Sequence, residues 1–568
     1  MTSMKEAVLP KRSGKLAERL RADARVRLVK QAWPIVGRAA GNAFRFVIGM
    51  PRLAAARGLV SRQNWDGVIR TLRPHVRHDY PLARSARVLV SAYGKVGDFD
   101  AAYALADKLA RITRLPADIA RADRLRGRVF EVHPNWLPSI AIPKPDDVQH
   151  GGTRRILYLA KESAPYLHNG FCTRSHETLR AVRGTGTEIV AVTMPGFPAV
   201  IGVEDAPTEV TVDDITYRHL LPNVKLSAMP VHQYLDLAAT ALAQFVLEYR
   251  PTVLHIGSGH RGFETALVGR AVAEWFGIPW MYEVRSFFET TWTSDKRYME
   301  SAPYFHQRHA TEGRCMHAAD FVVTLSGPMR AEIVEQHGVP ADKVAGIPNA
   351  VDVDRFAPQV RDQALRQSLG LGASMVLGYV SNLSHPREGQ ETMIAALPAI
   401  RAAGIDAKVL LVGDGARRPE LETLAKKLGI AEHVVFAGSI PFDRVASYYA
   451  QIDLFVVPRT NERAGRLVSP MKPFEAMAMD IPLLVSDLPA LVEIVDDEHA
   501  PRGFRYAAED PADLARVAIA SLGAPDEVQR RVRNAAEWVR RERTWDANGR
   551  NFVAAYAQAE QRWQAVRL

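Results

Sequence analysis

Only two cysteines, Cys172 and Cys315, occur in the 568 residues. That scarcity excludes a disulfide framework and a Cys-rich zinc site, and it suits a reducing compartment. Long apolar runs are missing too. No stretch reaches the roughly 18 residues that a membrane-spanning helix requires, and the apolar run 40–50 is interrupted by Arg45. No cleavable signal pattern follows the basic N-terminus. Neither a P-loop nor a G-x-G-x-x-G dinucleotide fingerprint is expected from the sequence, so nucleotide hydrolysis and dinucleotide redox lose their main support. The net charge of +10 is local: residues 1–90 hold 19 Lys+Arg against 5 Asp+Glu, whereas the other 478 hold 54 against 58. A slightly acidic body argues against a uniformly basic nucleic-acid groove, and no nucleic-acid partner is expected.

What is present is a soluble globular composition, 47% hydrophobic and 24% charged, in a chain long enough for two or three cores. Residues 1–132 read as a basic helical extension. Within 15–30, Leu16, Leu20, Val26 and Leu28 interleave with Arg19, Arg21, Arg25 and Arg27. This pattern fits an interfacial helix on an anionic membrane, and it equally fits a solvated basic face or tail. Residues 65–76, 82–93 and 101–112 read as short helices, and the segment 93–103 resembles one tetratricopeptide unit. Four prolines and Gly151-Gly152 mark 133–152 as a linker.

From 153 onward short apolar strands alternate with amphipathic helices, once over 153–345 and again over 346–540. A terminal helical segment, 541–568, follows. Such alternation predicts an α/β protein of two Rossmann-like, doubly wound domains with parallel sheets. Ligands of such sheets sit at the carboxyl ends of the strands. That directs attention to the loops 163–172, 255–263, 381–389, 412–415 and 459–475. The first holds Gly170 between strand and helix, where backbone amides can meet an anion or simply make a tight turn. The last is basic, with Arg459, Arg463, Arg466 and Lys472, and Pro473 suits the first turn of a helix. Those cations and amides would together hold a diphosphate. Glu475 would accept hydroxyl hydrogen bonds from a ribose, or merely complement the helix dipole.

The run Glu475-Ala-Met-Ala-Met-Asp-Ile-Pro-Leu-Leu-Val-Ser486 resembles the Glu-Ala-Met-Ala-x-Gly-x-Pro-Val-Val-x-Ser signature of retaining GT-B glycosyltransferases of the family 4 group (glycosyl transferases group 1). Further segments are similar in the same order. They are Tyr166-Leu-His-Asn-Gly-Phe-Cys-Thr-Arg174, Tyr282-Glu-Val-Arg285 with Glu289, Pro348-Asn-Ala-Val-Asp352 with Phe356, Val412-Gly-Asp-Gly415 and Phe436-Ala-Gly438. The Tyr-Glu-Val-Arg motif points to one branch. The resemblance spans about 155–558 and implies two lobes gripping a nucleotide-sugar, with the tail helix crossing back onto the first.

It also implies roles. His255, His260, Arg387, Arg459 and Lys472 would be catalytic. Gly170, Asn382, Gly413, Gly415, Gly438, Ile440, Arg463, Arg466 and Glu475 would bind the donor, with 153–345 the acceptor side and 346–540 the donor side. Arg174, Arg285 and Glu289 would face the acceptor. The implied reaction moves a sugar to a glycan or lipid-linked acceptor with retention. Neither metal nor cofactor takes part, and the nucleotide-sugar is a co-substrate. The protein would be cytoplasmic and peripheral at the inner face of the membrane. The Asp-x-Asp runs at Asp352/Asp354 and Asp98/Asp100 read as coincidence.

The family's first glutamate, eight positions before Glu475, is Leu467 here, and its Arg…Lys-Gly pair becomes Ser381-Asn382…Glu388-Gly389. An inactive GT-B scaffold and a nucleotide-sugar epimerase are the alternatives.

Overall fold

Ile156, Leu157, Tyr158 and Leu159 follow one another without a polar break, and in the computed structural model they lie in a buried strand, β1 (Arg155–Ala160). Apolar side chains at every position are what a strand covered by helices on both faces requires. The structure describes residues 51–76, 83–145, 153–226, 228–259 and 262–567. The chain separates into two compact units, Met1–Arg126 and Gly127–Leu568.

Within the first unit are α1 (Trp65–Leu72), α2 (Ala83–Lys95) and α3 (Phe99–Thr113), with α4 (Pro116–Phe130) after them. Val68, Leu72, Leu89, Val90, Leu105 and Leu109 are the apolar faces that meet. Arg87 grips Asp118 through two hydrogen bonds, 2.9 and 2.6 Å. The basic stretch 15–30, and with it the expected membrane contact, lies outside the described residues.

The second unit holds two sheets. In the first, β1 pairs in parallel with β2 (Glu188–Thr193) and β5 (Val253–Gly257). Adding β3 (Glu209–Val212), β4 (Ile215–His219), β6 (Trp280–Val284), β7 (Phe321–Thr324) and β8 (Val344–Gly346) gives the order β3-β4-β2-β1-β5-β6-β7-β8. The antiparallel β3–β4 hairpin was not expected from the sequence. Its loop is Asp213-Asp214, both at positive φ (45° and 61°), the backbone that a two-residue hairpin turn demands. Asp-Asp is a weaker turn signal than Asn-Gly, which is why it escapes notice. The crossover helices include α5 (Gly170–Gly184), α6 (Val231–Tyr249), α7 (Glu264–Phe276), α8 (Pro303–Ala318) and α9 (Gly327–Glu335). Part of the Pro-rich linker lies along α6: Ser139 N–H donates to Asp236 (2.7 Å) and Ala141 N–H to Thr240 (3.1 Å).

The second sheet is wholly parallel, in the order β11-β10-β9-β12-β13-β14. Its strands are β9 (Met375–Val380), β10 (Ala407–Val412), β11 (Val434–Gly438), β12 (Leu454–Val457), β13 (Leu483–Ser486) and β14 (Phe504–Tyr506). Helices α10 (Gln390–Ala402), α11 (Arg418–Lys427), α12 (Arg463–Leu467) and α13 (Lys472–Ala478) connect them, and α14 (Pro511–Leu522) and α15 (Pro525–Glu542) follow. The last helix, α16 (Trp545–Arg567), buries Phe552, Ala555, Tyr556 and Ala559 in the same core as Ile156, Tyr158 and Val323 of the first lobe. Its approach to α5 is close: a Cβ on Gly549 would sit 2.4 Å from the Ala181 carbonyl oxygen.

Candidate active site

Loops from both lobes line one cleft cavity of about 500 Å³. From the first lobe come the start of α5 and the segment after β6. Asn169 caps α5, its side chain accepting from Cys172 N–H at 2.9 Å, so Gly170 opens the helix rather than centring a turn. Phe171 and Phe288, 5.8 Å apart between ring centroids, stand at this wall.

From the second lobe come Asn382, His385, Arg387 and Glu388 after β9, then Arg459, Ala464 and the stretch from Val468 to Lys472 after β12. Arg387 passes its carbonyl to Thr460 N–H (3.0 Å), which stitches the two loops together. Gly389 makes that possible, because any Cβ there would collide with the Pro458 carbonyl oxygen, and its φ is +66°. Glu388 occupies the centre of this basic cluster. It accepts from Tyr379 at 2.5 Å, with Arg387 at 3.4 Å and Arg459 at 3.5 Å. Burial alone would raise its pKa, but Arg459, Lys472 and Arg387 outweigh that and hold it at about 2. A carboxylate thus stands where the related signature carries a lysine, and neighbouring cations neutralise it. Arg459 also donates to the Val468 carbonyl at 2.8 Å.

Of the residues singled out from the sequence, Gly170, Arg174, Arg285, Asn382, Arg387, Arg459 and Lys472 line this cavity. His260 lies outside the described residues. Gly413 and Gly438 sit at the carboxyl ends of β10 and β11, where Gly413 N–H donates to the Gly438 carbonyl (2.9 Å). Gly415 packs against Leu383 and Ser384, and Ile440 is half-buried. Glu475 lies behind the cavity on α13. It accepts from Tyr449 at 2.5 Å, and burial raises its pKa.

Four assignments need correction on geometry. His255 is wholly buried, its Nδ1 2.9 Å from Tyr556 Oη and its Nε2 3.4 Å from Glu283. Burial lowers its pKa, and it has no face on the cleft. Arg463 reaches the other lobe, pairing with Glu332 at 2.6 Å and Glu289 at 3.4 Å. Arg466 is exposed and donates to the Asn461 carbonyl (3.0 Å). Glu289 sits under the wall, 2% exposed, instead of facing an acceptor.

Arg174 and Arg285 form the cavity floor with their donors turned inward. Arg174 donates to Glu283 (2.8 Å) and to the Pro348 (3.0 Å) and Ile347 (2.8 Å) carbonyls. Arg285 donates to Glu283 (2.8 Å) and Ser175 (2.8 Å). Burial would raise the Glu283 pKa, yet the two guanidinium groups hold it well below the ordinary range. The Tyr-Glu-Val-Arg motif therefore builds an ionic base beneath the cleft.

Sequence reasoning passed over His385, Glu388, Phe171 and Phe288. The mismatch at Glu388 was the one available signal. The expected absence of a G-x-G-x-x-G run is also corrected: Gly257-Ser-Gly259-His-Arg-Gly262 spells it from the end of β5 toward α7. Here Gly259 and Gly262 exchange N–H···O bonds of 3.3 and 2.9 Å, and Glu264 occupies the first turn of α7. Those two amides are spent on each other, and the acid already complements the dipole, so neither amide is left for a phosphate. The two Asp-x-Asp runs are turn formers: Asp352 accepts from Asp354 and Arg355 N–H, and Asp98 caps α3.

Two Rossmann-like lobes joined at Pro348-Asn349 and facing one cleft define the GT-B architecture. Residues 169–350 match the glycosyl transferase 4-like domain and residues 374–523 the glycosyl transferases group 1 domain. Each lobe is thus similar to one glycosyltransferase domain family. The chain is similar to a GDP-mannose-dependent alpha-(1-6)-phosphatidylinositol monomannoside mannosyltransferase of Mycolicibacterium smegmatis. Identity is 36% over 148 residues, covering 26% of this chain and 38% of that one. The protein of the same name in Mycobacterium tuberculosis is 31% identical over 233 residues, 40% of this chain and 59% of that one. The chain therefore spans less than two thirds of either relative. Among solved structures, sucrose-phosphate synthase from Thermosynechococcus elongatus superposes with a TM-score of 0.58 at 20% identity, over 71% of this chain and 98% of that one. At that identity the likeness establishes the fold alone.

Proposed function

We propose that this protein transfers a sugar from a nucleotide-diphosphate sugar to a glycan or lipid-linked acceptor, retaining the anomeric configuration and using protein cations in place of a metal. The observation that carries this reading is the cluster of Arg387, Arg459 and Lys472 on the donor side of the cleft. Breaking the bond from the anomeric carbon to the diphosphate builds negative charge on the leaving oxygen. Preorganised cations facing that oxygen are the largest catalytic contribution such a site supplies. Glu475, in the first turn of the helix that Lys472 begins, is the ribose-binding candidate. Retention rests on the family resemblance.

Because two relatives are named for GDP-mannose, GDP-mannose is the first donor to test, beside UDP- and ADP-sugars. Phosphatidylinositol mannosides are the first lipid acceptors. No helix among the described residues is long and apolar enough to cross a membrane. The basic residues 1–50 are the proposed contact with the inner membrane face.

The test is donor turnover in the presence of a chelator, with Arg387, Arg459 and Lys472 changed singly to Ala. Each is expected to lower kcat by at least ~10²-fold. Near wild-type rates in all three place the diphosphate elsewhere. Abolition by chelation removes the metal-free mechanism, and an inverted product, read from the anomeric proton coupling, removes retention.

A further inference from the structure

Behind the first-lobe wall, three residues from separate segments converge. Glu289 follows the Tyr-Glu-Val-Arg motif, His309 lies on α8, and His337 follows α9. One potential ligand atom from each lies within 4.8 Å of the other two. We propose that Glu289, His309 and His337 form a binding site for a divalent transition-metal ion of the zinc class, which clips the loop after β6 to α8 and to the end of α9.

The donor set of two imidazoles and one carboxylate is the chemistry that Zn²⁺ and its first-row neighbours select. Two buried atoms point to a missing partner. Glu289 is 2% exposed, yet among the described residues its Oε2 has no hydrogen-bond partner, and neither has the buried Nε2 of His337. Leaving a buried carboxylate oxygen unpaired is costly, and a bound cation removes that cost.

Space has been left as well: at Gly313 of α8, a Cβ would lie 3.0 Å from His337 Nδ1, so a larger residue would press on the ring. His309 and His337 stack with centroids 4.0 Å apart. His309 is half-buried on the rim.

Charges nearby allow a cation. Arg463 has Glu332 as its close partner at 2.6 Å and reaches Glu289 only at 3.4 Å, so Glu289 can serve an ion without stranding that guanidinium. Arg314 is committed to the Pro134, Trp136 and Glu131 carbonyls, and Arg270 to Glu274. An open surface groove lined by His309, His317, His337 and Gly313 provides entry.

The test uses the full chain with no nucleotide present, so its outcome is independent of the transferase reading. Zn²⁺ is titrated calorimetrically, and Co²⁺ is added as a probe whose visible bands report imidazole and carboxylate ligation. One equivalent is expected to bind, with a rise in Tm from mass action. His309→Ala, His337→Ala and Glu289→Gln are each expected to weaken binding by at least the about 10- to 100-fold that outer-shell changes alone produce. His309→Ala is half-buried and should fold, and its circular dichroism should match the parent. Unchanged Zn²⁺ affinity in His309→Ala and Glu289→Gln, or no Co²⁺ bands in the parent, would overturn the site and leave a stacked imidazole pair.

Discussion

A single misplaced charge sign organises the donor side of the cleft. Glu388 stands among Arg387, Arg459 and Lys472, so part of their positive potential is already answered. Replacing it by Gln keeps a group for the Tyr379 hydroxyl and frees that potential for a diphosphate. Glu388→Gln is therefore expected to bind nucleoside diphosphates about tenfold more tightly, roughly 1.4 kcal/mol, in calorimetry. The same carboxylate has a signed effect on stability. Its pKa is held at about 2, below the ordinary 4.5, so its contribution is complete above pH 4.5 and is lost as pH falls toward about 2. Urea midpoints measured across that window should fall less steeply in Glu388→Gln than in the parent. Glu475 behaves oppositely: burial raises its pKa, and Glu475→Ala is expected to weaken donor binding about 10- to 100-fold while the protein stays folded. Unchanged donor affinity would leave Glu475 as a group that only complements its helix.

At the scale of elements, α5 carries the first-lobe wall, and two features hold it. Asn169 caps it and also donates to Glu162 at 2.7 Å, while Gly549 lets α16 pack against its carboxyl end. Asn169→Ala is expected to cost about 1 kcal/mol of stability, the usual price of a lost cap. Gly549→Val should cost ~1–3 kcal/mol by overpacking, measured as a loss of Tm. If Gly549→Val melts like the parent, α16 is not seated against α5. The strand–helix alternation that sets both lobes could be read directly from apolar runs such as 156–160 and 454–457. The short helix α12 could not, because Arg463–Leu467 is basic and its placement depends on partners in the other lobe.

At the scale of the whole second unit, contacts across the cleft hold the lobes together. Arg463 pairs with Glu332, the Ser326 hydroxyl donates to the Leu467 carbonyl at 2.6 Å, and the Gly327 amide at the start of α9 donates to Glu493. Arg463→Met is expected to lower stability by roughly 1–3 kcal/mol, because it leaves the buried Glu289 carboxylate without its cation. It should raise the donor KM several-fold and widen the distance distribution between spin labels on the two lobes. A KM and a distribution identical to the parent would mean that this pair does not govern closure. The N-terminal basicity acts on the same scale. Deleting 1–50 should weaken co-sedimentation with anionic liposomes at low salt, within a Debye length of ~8–10 Å. Equal sedimentation of both forms would remove the membrane contact.

By itself the sequence determined the two parallel-sheet lobes, the helical segments before them and the cation-bearing loop after β12, because local periodicity and turn chemistry act over a few residues. It also placed Arg387, Arg459 and Lys472 near one another through the order of the loops. Tertiary structure decided the rest. His255, Arg174 and Arg285 carry polar groups suited to chemistry, yet they became the buried base around Glu283, since whether a polar side chain faces a cleft or a core depends on which distant segment covers it. Arg463 and Arg459 lie four positions apart in one basic stretch. One is held across the cleft by Glu332 and the other lines the donor wall, a difference set by the other lobe and not by the stretch itself.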